Sequence, residues 1–205
     1  MTAPSKAPDA ALGVRAHSGW AAYCVLDGDP REPRLAARGR MVLCDAAVEG
    51  SKQPFHHAEP MPFAAASKFI AQCTASTAAL AGRAVDTLHG AHRVAACCIL
   101  TASGRPLPEL RAILASHALI HAAEGEFYRD AVATACSVRN MTVRRIRERD
   151  METELAKLPI PAPAAKARLA DFGREVGAPW TQDEKLSALG AWLMLSSLPS
   201  RRARR

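Results

Sequence analysis

Arg93-Val-Ala-Ala-Cys-Cys-Ile-Leu100 is apolar at every position after the arginine. A run this short and this continuous reads as a central strand covered on both faces, because a strand with one wet face alternates apolar and polar residues. The segments around it supply the cover. A helix is expected over about Ala64–Leu88, and a second over roughly Glu109–Val138. Met141-Thr-Val-Arg-Arg-Ile-Arg147 then returns as a strand of alternating apolar and basic positions. A short helix near Asp150–Lys157 and two more at about Ala164–Val176 and Thr181–Ser196 close the chain.

The chain opens on strands. Residues 10–26 read as strand, tight glycine turn and strand; Asp27-Gly28-Asp29-Pro30 is a turn, and a further arm runs from Leu35 to Asp45. Residues 46–62 form a proline-containing loop. The fold class is therefore α/β: a mixed sheet opening on an antiparallel meander, with helices packed on it. Residues 1–9 are expected to be a flexible leader, 10–197 one domain with a linker-like segment at 159–163, and 198–205 a basic tail.

The 205 residues suffice for one core-bearing domain, and 49% are hydrophobic. Much of that fraction is alanine, so the core should be thin and helix-rich. The six cysteines form no CxxC pair or small-domain framework and are expected as buried free thiols. Neither a signal peptide nor a membrane-spanning run is expected, which points to the cytoplasm.

Within the second helix, His117, His121, Glu124 and Tyr128 fall at i, i+4, i+7 and i+11 and share one face. Such a stripe could hold a divalent transition metal, transfer protons, or serve as a hydrogen-bonded structural seam. The helical zinc-protease pattern has glutamate where Ala118 stands, so no metal is assigned from spacing. His117, His121, Glu124 and Asp183 are the candidate catalytic groups. His56, His57 and Glu59 share the proline-rich loop, where polar residues carry function or are simply solvated.

Leu12-Gly13-Val14-Arg15-Ala16-His17-Ser18-Gly19 through Tyr23 resembles the opening strand and turn of RNase H-like proteins, particularly RuvC-type junction resolvases. The order of elements over residues 10–197 resembles that fold too. The resemblance implies a nuclease whose carboxylates hold two divalent ions beside the attacked phosphate. Arg15, however, stands where the first aspartate belongs, and the central strand offers no glutamate. Asp183 or Glu184 could replace the late aspartate, while Lys185 occupies another plausible equivalent position. The resemblance thus implies the fold and argues against the two-metal mechanism.

Three functions follow as expectations. The first is a nucleic-acid-associated RNase H-like protein, divergent or inactive as a two-metal nuclease. The net charge of +7 and the Arg144, Arg145, Arg147 cluster suit such a partner. The second is an enzyme or binding protein for a small phosphate- or carboxylate-bearing ligand, held by Arg15, His17, Ser18 and Lys185. The third is a non-catalytic module for a protein partner. For the cleft, Arg15, His17, Glu124 and Asp183 or Lys185 are expected to converge, with Arg15 in an exposed turn. No cofactor is named by the sequence.

Overall fold

The computed structural model describes residues 9–102 and 106–199. The leader up to residue 8 and the arginines of the tail (Arg201, Arg202, Arg204, Arg205) lie outside the described residues.

Five strands form one mixed sheet: β1 (Ala10–His17), β2 (Trp20–Asp29), β3 (Glu32–Val42), β4 (Val94–Thr101) and β5 (Thr142–Arg147). Their spatial order is β3-β2-β1-β4-β5. β1, β2 and β3 pair antiparallel as a meander, whereas β1, β4 and β5 run parallel. Gly19 makes the first hairpin turn at φ 84°, a left-handed conformation that glycine adopts without a Cβ clash. The expected meander and central strand are both present.

Among the described residues seven α-helices accompany the sheet: α1 (Pro54–Ala58), α2 (Phe63–His92), α3 (Leu110–Leu114), α4 (His117–Ser137), α5 (Met151–Leu155), α6 (Ala162–Val176) and α7 (Gln182–Ser197). The side-chain period of two sorts the sheet into two cores. Leu12, Val14, Cys97 and Ile99 face Val85 of α2 and Tyr128 and Val132 of α4. Ala11, Cys98 and Leu100 face the other way, against Ala188, Ala191 and Trp192 of α7. Adjacent Cys97 and Cys98 thus enter different cores, and all six cysteines are free.

Several boundaries differ from the sequence expectation. The helix expected over Glu109–Val138 breaks at Ala115–Ser116, and Ser116 is extended (φ −141°, ψ 111°), so α4 begins at His117. α2 continues through His89-Gly90 and stops at Arg93, which is left-handed (φ 53°). Pro54 opens α1 inside the expected loop; at the first helical position its missing N–H removes no bond. On both sides of Pro159, Met151, Leu155, Ala165 and Phe172 pack into the same core as Trp192.

Gly13 sets the distance between sheet and α7. A Cβ there would overlap the Ser187 carbonyl and fall 2.6 Å from Ala191 N. Close approach carries the first turn of α7 to the C-terminal end of β1. Thr181 and Glu184 secure that turn with a capping box, so Glu184 serves the helix rather than the cleft. Among the described residues no helix is long and apolar enough to cross a membrane.

Candidate functional site

The C-terminal ends of β1 and β5 and the start of α7 meet on one face of the sheet. Arg15 projects there from β1 and makes two parallel contacts with Glu148, Nε donating to Oε1 at 3.0 Å and Nη2 to Oε2 at 2.8 Å. Glu148 lies just beyond β5, in a 3-10 turn over Glu148–Asp150. Nη1 of Arg15 donates to Asp183 Oδ1. His17, two residues along β1 and on the same face, places Nε2 3.0 Å from that oxygen. Two carboxylates, one guanidinium and one imidazole therefore form a single network.

The charges reinforce one another. Donation to Glu148, followed by that to Asp183, raises the Arg15 pKa further above its ordinary value despite partial burial. Burial pushes the Asp183 carboxyl up, but bonds from Arg15 and His17 outweigh it and leave the carboxyl below its usual range. The guanidinium is shared between the two carboxylates. Two divalent cations would need that space and those oxygens.

The network continues outward. His17 stacks on Trp20 with ring centroids 4.4 Å apart, and the Arg40 guanidinium lies 4.2 Å from the Trp20 ring centre. Lys52 approaches the adjacent Gly19 turn. Arg40 and Lys52 are exposed and have no carboxylate partner among the described residues.

The remaining expected site residues fall elsewhere. Arg15 is within β1, not in the turn, and its side chain is only 23% exposed. Ser18 occupies the turn itself. Lys185 is exposed; two residues after Asp183, it points roughly 200° away around the helix axis. Asp183 is the α7 group that faces Arg15. Glu124 does not join the cleft, because α4 covers the opposite face of the sheet from Arg15. Arg144 bonds Glu154 at 2.7 Å, Arg145 bonds Glu126 at 3.0 Å and also Asp130, and Arg147 bonds Asp150 at 2.6 Å. Each of these arginines is matched by a carboxylate.

The stripe on α4 organises a different region. Glu124 Oε1 accepts from the backbone N–H groups of Phe55 (2.8 Å) and His56 (3.1 Å) and lies 3.2 Å from His56 Nδ1. Burial raises the Glu124 pKa, and these bonds oppose the rise. The Tyr128 hydroxyl donates toward the carbonyls of Ser51 (2.7 Å) and Lys52 (3.0 Å). His117 and His121 lie at the exposed end, 3.0 Å apart at Nε2. The stripe docks residues 51–58 onto α4.

Glu148 is the residue that sequence reasoning missed. It sits among Arg147, Arg149 and Asp150 and reads as part of a charged run. Its available signal was position: a carboxylate immediately after a strand parallel to the one carrying Arg15.

No protein-family model matches this chain, and no curated protein matches it. Solved structures do. The chain is similar to Thermus thermophilus RuvC in complex with a Holliday junction substrate, at 13% identity and a TM-score of 0.50, covering 90% of this chain and 91% of that one. A Thermus thermophilus RuvC structure without a named substrate matches with the same score and coverage at 12% identity. At such identity the likeness concerns the backbone, and it agrees with the strand order and helix placement above: the chain has the RNase H-like fold of RuvC.

Proposed function

We propose that this chain is a nucleic-acid-associated RNase H-like protein that binds its partner without cleaving it by a two-metal route. The observation that carries this reading is the Arg15 guanidinium held between Glu148 and Asp183. A fixed cation takes the place of a mobile one, and the carboxylates that could hold metal are already bonded. β4 itself carries no acidic residue, and its last two residues, Leu100 and Thr101, are buried.

Arg40 and Lys52 at the hairpin end are the groups proposed to meet phosphate, since the β5 arginines are committed to acids. Trp20 lies between His17 and Arg40 and serves as their support rather than as a base-stacking platform. The similar RuvC complex contains a Holliday junction, which makes branched DNA the first substrate class to try.

The test is fluorescence anisotropy with single-stranded, duplex and four-way DNA across a salt series, with magnesium or manganese added in parallel cleavage assays. Binding should weaken steadily as salt rises and weaken further in Arg40→Ala/Lys52→Ala. The DNA should stay intact. Absence of binding at low ionic strength removes the nucleic-acid reading. Metal-dependent cleavage abolished by Asp183→Asn removes the non-cleaving one.

A further inference from the structure

Three imidazoles converge where α1 meets the first turn of α4. A ring nitrogen of each of His56, His117 and His121 lies within 4.8 Å of the others. His117 and His121 are exposed and His56 is half-buried, so one side of the cluster is open to water. The group lies on the α4 side of the sheet, away from the Arg15 network.

The second observation concerns the carboxylate behind the cluster. Glu124 is 4% exposed, its Oε2 has no hydrogen-bond partner, and its Oε1 meets His56 Nδ1 at 3.2 Å. With Nδ1 donating to Glu124, the lone pair of His56 Nε2 is free to bind an ion. A carboxylate that fixes the tautomer and orientation of an imidazole from its far side is the usual companion of a metal-binding histidine. The exposed pair adds to the argument. His117 and His121 Nε2 atoms 3.0 Å apart can share one proton, or both can turn lone pairs on a common ion.

We propose that His56, His117 and His121 bind one divalent transition-metal ion of the zinc class, with Glu124 orienting His56 and the fourth position open to solvent. Three neutral nitrogen donors favour zinc, cobalt or copper over magnesium, which prefers oxygen. The adjustment needed is small, because nitrogens that already lie within 4.8 Å of one another must reach only the roughly 3.4 Å between ligands of a tetrahedral ion at about 2.0–2.1 Å. Spacing along α4 shows only His117 and His121; the third ligand comes from α1, which Glu124 docks.

Titration of the full chain with zinc or cobalt, in metal-free buffer, tests the site. One equivalent should bind by calorimetry, raise the melting temperature, and give cobalt the intense visible bands of a four-coordinate ion. His117→Ala/His121→Ala removes two exposed rings and should abolish all three effects while circular dichroism stays unchanged; His92→Ala should change none of them. Glu124→Gln should weaken affinity by about 10- to 100-fold and alter the cobalt spectrum. No stoichiometric binding, or binding that survives the double substitution, overturns the site. Unchanged affinity and spectrum in Glu124→Gln overturn the role of the carboxylate.

Discussion

Arg15 and Glu148, 133 residues apart in the chain, meet through two parallel nitrogen–oxygen contacts of 3.0 and 2.8 Å. The geometry matches the fork of a guanidinium to a carboxylate, which a lysine cannot reproduce. With Asp183 on its third nitrogen, Arg15 joins β1, the exit of β5 and the start of α7.

Replacing Arg15 by alanine should therefore cost folding stability, contrary to what an exposed turn residue would imply. Glu148 and Asp183 would face one another without their common cation. A fully buried broken pair costs roughly 3–5 kcal/mol, and partial exposure here reduces the expectation to about 1–3 kcal/mol. Urea unfolding measures it, and a change within experimental error would show that the network is dispensable.

Arg15→Asp inverts the charge and gathers three carboxylates at one place. The variant should be less stable than the parent in chelator and should regain stability with manganese, which the parent should not. Melting curves with and without manganese decide this. An equal manganese response in both proteins would mean that Arg15 does not exclude the ion.

Asp183 supplies a pH dependence. Its folded-state pKa lies below the ordinary 3.8, so its contribution is present above that value and is lost as pH falls through the folded one. Arg15 and His17 face it from β1, with Glu148 behind Arg15. In Asp183→Asn the loss of stability below about pH 4 should be shallower than in the parent, with the two curves converging in strong acid. Parallel curves down to the acid limit would assign the acid sensitivity to other groups.

Gly13→Ala tests what positions that network. The added Cβ meets backbone atoms of α7, which cannot rotate aside, so the helix must leave β1. A loss of about 3 kcal/mol or more is expected, together with a weakened Arg15–Asp183 contact. Solubility and melting temperature near those of the parent would show that α7 shifts freely.

These elements were not equally legible in the sequence. Gly19, the apolar run after Arg93 and the alternation of β5 act locally, so the sheet could be read from them. The break at Ser116 could not, because neither proline nor glycine marks it and only packing decides that α3 and α4 diverge. The sequence leaves Glu124 and Arg15 free to converge, because helix and strand periods put each residue on a face without saying which face of the sheet the helix covers. His56 was visible as a loop histidine, but its partners are more than sixty residues away. Pro54 concealed a short helix because proline density reads as loop.

Tyr128 gives the last prediction, about the docking of residues 51–58. The ring is wholly buried, and its single hydroxyl proton is aimed between the carbonyls of Ser51 and Lys52. Ser51 in turn donates to the Asp45 carbonyl at 2.6 Å, so the tyrosine closes the loop onto α4. Tyr128→Phe keeps the ring and its packing but leaves the buried Ser51 carbonyl without this donor. The cost should be about 1–2 kcal/mol, or about 2–8 °C in melting temperature for a chain of this size. Hydrogen exchange should accelerate across residues 46–58, while amides of β1 and β4 keep their protection. If that segment exchanges no faster, Tyr128 is a core ring whose hydroxyl holds nothing, and the loop carrying His56 is secured by Glu124 alone.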